Sequence, residues 1–514
     1  MSVESLVRES ERLVEMLDPL VEDIADTRLQ GVADSAWYRL GTVNVLVRDA
    51  GGGALAAALA RGLIEQAAYW DWALATGVGV DHLDQWAALE LDGLQGLARD
   101  AGDEVWLGWL LPPGVSVAAS AGPAIPKSAG DAVRRIGSGL DGAVLNPLGF
   151  AGLLSAYRIL NVLTHSNYLG AVILAEQLDL ELPDRLAAVA THLAAAGATA
   201  VTLALADDGS FLDAATAQFE VVAHKASEIH GLSVQTSGPQ RRLPHSRQAR
   251  PVTAASSISR MPPATLDMTE LGLRFLAAAD SLADVVASEE VEIEDFCEWI
   301  AHQSFRLSLS NLSIMRGALE GTLGKALLPI SARMLFEDGA RWSWFPHSAA
   351  TATTGESLKA LVNDGAQRRD RIANSLQSDG VPRPIIEELL GPAVNIPQFD
   401  PGELTVPELG EMLTLAYPKP SGIDSAQAIY GVLSQFVHAT PISTLHFQRD
   451  TFPSVSAPVY AIAMEAAARG FERIATVTLL LGGLNPEAIQ QPLEEVQRRC
   501  AKVASRAFRY HCLG

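Results

Sequence analysis

The sequence predicts an all-α protein built as two homologous helical bundles related by internal duplication, and three observations predict it. First, Arg61, Glu65, Trp70 and Trp72 return 272 positions later as Arg333, Glu337, Trp342 and Trp344, with their spacing kept. Second, Tyr157, Leu160 and His165 return 273 positions later as Tyr430, Leu433 and His438. Two separate motifs at nearly one offset point to a tandem copy. Third, Ala and Leu are the commonest residues and favour helix, while the period-two alternation of strands is scarce. Repeats this long are whole domains, and such copies often pack about a pseudo-twofold axis, like a homodimer fused into one chain.

The elements follow in order. Leu6, Leu13, Leu17 and Leu20 fall near helical spacing, with Pro19 expected to bend or end that helix. Gly51, Gly52 and Gly53 break the chain before a long apolar helix over 54–74. Its counterpart spans 323–345, with Pro329 a kink or boundary. The second motif lies on helices over 153–177 and from 425 onward. Helices over 185–206 and 459–481 share Val201-Thr202-Leu203 and Val477-Thr478-Leu479. Asp92-Gly93 and Asp364-Gly365 form a weaker match at the first offset. The drift between offsets places small insertions in loops. Residues 235–264 hold Pro239, Pro244, Pro251, Pro262 and Pro263 with five arginines, which reads as a flexible tether. The domains are therefore 1–234, the linker 235–264, and 265–514. The acidic run 289–295 after Ser288 is expected to open a helix on a solvated face. Trp106 and Trp109, beside Pro112 and Pro113, are expected to pack a loop.

Composition bounds function. The chain has 514 residues, 48% hydrophobic and 19% charged, enough for sizeable cores. Its net charge of −22 repels phosphate backbones over any broad surface, leaving RNA only a local site. Cys297, Cys500 and Cys512 lack paired spacing, which argues against disulfides and structural zinc. The N-terminus has no signal pattern, and no apolar stretch is long enough to span a bilayer. The expectation is a cytoplasmic protein without membrane attachment, cofactor or metal, whose partner is an unidentified protein or small molecule. Gly77 and Gly79 lack a third spaced glycine, so no dinucleotide fingerprint is present. No His-Glu-x2-His, P-loop or Gly-x-Ser-x-Gly occurs. A di-iron centre fails because neither His165 nor His438 follows a Glu by three residues.

Two constellations remain. Arg61 and Glu65 share one helix face, and Trp72 continues it; Arg333, Glu337 and Trp344 repeat the arrangement. A charged pair among apolar residues must find partners. It either pins helices together or lines a pocket walled by the tryptophans. Tyr157, Asn161 and His165 form one stripe at i, i+4 and i+8, matched by Tyr430, Ser434 and His438. Each histidine is either a hydrogen-bonded core residue facing Glu65 or Glu337, or a general acid/base.

Arg-x3-Glu followed by Tyr-x2-Leu-x4-His resembles an uncharacterised bacterial helical family related to the abortive-infection and HEPN (higher eukaryote and prokaryote nucleotide-binding) group. The likeness covers the core of each copy. It implies dimerising helical bundles, many of them metal-independent ribonucleases acting through Arg-x4-6-His. Arg158 and His165 fit that pattern with Asn161 between them, which would place proton transfer on His165 and phosphate stabilisation on Arg158. The second copy departs from it, with Gly431 for the arginine and Ser434 for the asparagine. Three readings follow: a HEPN-like sensor or binding module in a bacterial defence or stress system, a small-molecule enzyme or binding protein with an interhelical pocket, and a ribonuclease using Arg158 and His165.

Overall fold

The structure is a computed structural model. It describes residues 2–48, 52–76, 81–101, 132–133, 153–165, 183–206, 210–232, 263–289, 296–348, 354–378, 380–390, 406–417, 426–448 and 454–513. The N-terminal half opens with α1 (Val3–Glu22), whose Ser2 side chain accepts from the Ser5 amide and caps it. Leu6, Leu13, Leu17 and Leu20 are buried along one face, as their spacing requires. Pro19 lies in the last turn and does not bend the helix midway. Asp26 caps α2 (Thr27–Arg48) by accepting from the Leu29 amide. After Gly52 comes α3 (Gly53–Thr76), buried on nearly every side. α4 (Asp81–Ala101), α5 (Leu153–Thr164), α6 (Asp184–Leu205) and α7 (Ser210–His230) complete this half.

The C-terminal half contains α8 (Pro263–Ser288), α9 (Phe296–Glu320), a 3-10 turn at Lys325–Leu327, and α10 (Leu328–Ser348). α11 (Thr354–Ser378), α12 (Arg383–Leu390), α13 (Leu409–Ala416), α14 (Ala426–Val437) and α15 (Pro441–His446) follow. The last elements are a ribbon of two-residue strands, β1 (Phe447–Gln448) and β2 (Ser454–Val455), then α16 (Ala457–Leu481) and α17 (Pro486–Leu513). Among the described residues the architecture is all-α apart from that ribbon.

Each half is organised around two helices that cross closely. In the first, α3 crosses α6 where Gly197 faces Leu63; a Cβ on Gly197 would stand 2.8 Å from the Leu63 backbone carbon. In the second, α10 crosses α16 where Gly470 faces Leu335, and a Cβ there would stand 2.3 Å from the Leu335 carbonyl oxygen. Only glycine lets two helical backbones approach so far. Around these crossings α1, α2, α5 and α7 surround the first pair, and α8, α9, α14 and α17 the second. α6 is long and apolar enough to cross a membrane, but its apolar window is 94% buried within the fold, so its hydropathy is accounted for by the core.

Several expectations are corrected here. Ser288 ends α8, and the acidic run expected to open a helix lies, apart from Glu289, outside the described residues. Pro263 is the first residue of α8, where a missing amide proton costs nothing, so the second half begins inside the expected linker. Pro329 marks the boundary between the 3-10 turn and α10. Residues 233–262, 290–295, 166–182 and the pair Trp106 and Trp109 lie outside the described residues.

The halves touch through elements of both. α4 packs on α14, where Gln435 Nε2 donates to Glu90 Oε2 at 3.2 Å. Reciprocally, α11 packs on α5, where Arg158 Nη1 donates to Ser375 Oγ at 2.8 Å. α3 and α14 meet so tightly that a Cβ on Gly62 would lie 2.2 Å from the Val437 carbonyl oxygen.

Candidate functional site

Periodicity places Arg61 and Glu65 one turn apart on α3, and the fold buries both: their side chains are 6% and 0% exposed. Arg61 Nε donates to Glu65 Oε1 at 2.9 Å, and the Tyr157 hydroxyl from α5 donates to the same oxygen at 2.6 Å. The other carboxylate oxygen receives His438 Nδ1 at 2.6 Å. That histidine comes from the C-terminal half. Burial alone would raise the Glu65 carboxyl, but Arg61 and His438 more than offset it and bring it down to about 2.

The C-terminal motif is arranged reciprocally. Arg333 Nη2 lies 3.1 Å from Glu337 Oε2, the Tyr430 hydroxyl donates to that oxygen at 3.3 Å, and His165 Nδ1 of the N-terminal half lies 3.1 Å from Oε1. Arg61 and Arg333 stand 5.6 and 4.9 Å from the ring centroids of Tyr157 and Tyr430. The carboxylate of each half therefore holds the imidazole of the other.

The two half-sites differ in charge and in what meets Nε2 of each histidine. Glu337 also accepts from Arg341 at 3.0 Å, a residue whose position in the first motif is held by Tyr69. Burial opposes its ionisation, yet Arg333 and His165 hold Glu337 well below the usual carboxylate range. Arg61 Nη1 donates to His165 Nε2 at 3.1 Å, so that nitrogen is an acceptor and the proton resides on Nδ1, facing Glu337. Arg333 Nη2, 3.3 Å from Nδ1, is then a contact and not a donor to it. Burial pushes His165 down to about 4 despite Glu337, with the two arginines adding to the effect, so it is neutral at neutral pH. His438 shares the Nδ1–carboxylate bond, but its Nε2 has no hydrogen-bond partner among the described residues, and its side chain is 27% exposed.

Backbone geometry fixes His438. It is the C-cap of α14: its amide donates to Ser434 O at 3.0 Å, and the Thr440 amide reaches back to Gln435 O at 3.1 Å. This closure is a Schellman motif, and it forces Ala439 into the left-handed region at φ 50°. A non-glycine residue there carries strain on the order of 1 kcal/mol. It stands directly beside an imidazole of the network.

The structure thus brings together Arg61, Glu65, Tyr157, His165, Arg333, Glu337, Tyr430 and His438, with Ser434 at the margin, 3.4 Å from Arg333 Nε. Asn161 lies on the same stripe, and its side-chain oxygen is buried without a hydrogen-bond partner among the described residues. Arg158 is not part of the cluster, since its guanidinium turns to Ser375. Trp72 and Trp344 are core residues, 8% and 5% exposed. The charged pairs and histidines of both halves join in one network. Two members escaped the sequence reading. Arg341 sits inside the quoted repeat but has no basic counterpart. Arg39 of α2 hydrogen-bonds the Phe436 carbonyl at the end of α14; its signal was a lone arginine on the apolar stripe of Ala36, Leu40 and Val43. Among the described residues no group of three or more His, Cys, Asp or Glu is placed to hold a metal ion.

Compared with family models, with curated proteins and with solved structures, the chain has no match.

Proposed function

We propose that this chain is a HEPN-like protein made by internal duplication, a fused pseudo-twofold dimer that works as a sensor or binding module in a bacterial defence or stress system. The single observation that carries this reading is the crossed pairing of Glu65 with His438 and of Glu337 with His165. Reciprocal contacts of this kind are what an isologous interface produces. The matched helix crossings at Gly197–Leu63 and Gly470–Leu335 support the same descent. A buried network of this kind orients two bundles and favours one arrangement of them. Its ligand is a protein or small molecule; RNA is confined to a local site, and the protein is placed in the cytoplasm, off the membrane.

Ribonuclease action through Arg158 and His165 is the less supported reading. His165 Nε2, the atom that would take a proton from a ribose hydroxyl, already accepts from Arg61, and Arg158 is turned to Ser375. A small-molecule acid/base enzyme is favoured by one observation, the carboxylate-oriented His438 with its open Nε2. Incubating the full chain with single-stranded RNA in EDTA, beside His165→Ala and His438→Ala, tests these readings. The binding-module reading expects no cleavage by any of the three. Cleavage lost only in His165→Ala would overturn it in favour of the nuclease.

A further inference from the structure

Arg39 rises from the middle of α2 into the contact between the halves and is 5% exposed. Its Nη2 donates to the Phe436 carbonyl, and its Nε makes a long 3.4 Å bond to Ser35 Oγ. Its Nη1 is buried with no hydrogen-bond partner among the described residues. None of the described carboxylates forms an ion pair with it, and Glu65 acts on it only through space. Burial brings the guanidinium down to about 10, which still leaves it charged at neutral pH. The neighbouring network has no negative charge to spare. Glu65 is already bonded to Arg61, and Glu337 is shared by Arg333 and Arg341. The carbonyls at the C-terminal end of α14 attract Arg39 through the helix dipole but supply no full charge. A buried cation left short of negative charge is costly.

Arg39 also lines a small cleft between the halves, whose free room is about 10 Å³, enough for one particle the size of a water molecule. Ser35 stands on the same wall; its hydroxyl only accepts from Arg39 and keeps its proton to donate. The Ser443 hydroxyl, also on the wall, is spent on Thr440 O. Leu59, Ile330 and Phe436 make much of the rest apolar. The cleft thus joins a buried positive charge to two donors in a space that takes a single heavy atom. A carboxylate, nitrate or phosphate spreads its charge over several heavy atoms and is too large. A water molecule would satisfy Nη1 and leave the charge unanswered.

We propose that this cleft binds one halide ion, chloride in ordinary solution, held by Arg39 Nη1 and the Ser35 hydroxyl against Leu59, Ile330 and Phe436. A hydrogen bond between two charged partners is roughly twice as strong as a neutral one, and one halide balances one guanidinium. Chloride and bromide give up their water readily enough to accept an apolar wall, whereas fluoride does not. Because Arg39 also grips the Phe436 carbonyl two residues before His438, the ion steadies the end of α14 that aims that imidazole. It also steadies α2 against the C-terminal half. The site lies outside the carboxylate–imidazole network, and binding does not depend on how that network is used.

The test reads the full chain in two ways: the broadening of the chloride NMR signal on adding protein, and Tm in sodium chloride, bromide, acetate or nitrate at one ionic strength. The wild type is compared with Arg39→Gln, Ser35→Ala and the cleft-filling Ala326→Val, each checked for helical content by circular dichroism. We expect broadening that saturates with chloride and is displaced by bromide at least tenfold more effectively than by acetate or fluoride. Tm should be higher in chloride and bromide than in either acetate or nitrate, whereas a general salt effect would rank chloride between those two. Affinity should fall more than tenfold in Arg39→Gln and Ala326→Val, and several-fold in Ser35→Ala. If Arg39→Gln fails to fold, the other two variants decide. No saturable broadening by the wild type, acetate displacing as well as bromide, chloride ranking between acetate and nitrate in Tm, or unchanged affinity in the folded variants would overturn the assignment. None of these results depends on RNA cleavage, so this proposal and the preceding one can fail separately.

Discussion

Replacing Glu65 by Gln keeps the shape of the side chain and removes one charge from the centre of the molecule. The carboxylate accepts from Arg61, Tyr157 and His438 at 2.9, 2.6 and 2.6 Å and is 0% exposed. An amide retains one acceptor oxygen but presents an N–H₂ group to a second donor, and it leaves Arg61 buried without its counterion. Breaking a buried pair from one side costs about 3–5 kcal/mol. The retained oxygen places this substitution near the lower end, at about 3 kcal/mol. That is a large share of the roughly 5–15 kcal/mol available to a folded domain. At about 2–4 °C per kcal/mol for units of this size, Tm should fall by roughly 6–12 °C. Calorimetry and urea unfolding of the full chain read both quantities, with unchanged far-ultraviolet circular dichroism confirming the native fold. A loss under about 1 kcal/mol would refute the reasoning, because a carboxylate so dispensable cannot be the buried acceptor of three donors.

Acid should destabilise the protein in two stages. His165 and His192 are pushed down to about 4 and His230 to about 3, chiefly by burial, so between pH 6.5 and 4 the unfolded chain takes protons that the native state refuses. Asp338, which burial raises to about 8, works in the opposite direction but is one group against three. Stability should therefore fall by roughly 1 kcal/mol or more per pH unit below neutrality. Below pH 4.5 the depressed Glu65 adds to the loss; urea midpoints that stay flat from pH 7 to 5 would contradict this. Ala439→Gly should stabilise by about 1 kcal/mol by relieving the left-handed strain, measured by thermal unfolding, whereas a destabilised variant would mean the cap is not strained. Gly197→Ala and Gly470→Ala should each destabilise by about 1–3 kcal/mol, since each new Cβ meets a backbone that cannot yield. If one were neutral in urea unfolding and the other severe, the two crossings would not be equivalent.

Much of this was legible from the residues. The apolar run from Ala54 gives α3 almost to its ends, although Gly53 of the expected breaker is its first residue, and Val459 to Leu481 falls within α16. The repeat also singled out every charged residue of the network except Arg341 and Arg39. What could not be read was which imidazole faces which carboxylate. Helical spacing says that Tyr157 and His165 share a face, but Tyr157 goes to the glutamate of its own half and His165 to that of the other. That division depends on how two bundles dock, a long-range property with no local signature. Arg39 was missed for the same reason: its partner is a carbonyl nearly four hundred residues away.

A double-mutant cycle comparing crossed with uncrossed pairs tests the docking of the halves most directly. Glu65→Gln with His438→Asn, and Glu337→Gln with His165→Asn, should show coupling of about 1 kcal/mol or more. The uncrossed combinations, Glu65 with His165 and Glu337 with His438, should couple more weakly. Stronger coupling within each half than between them would contradict the account.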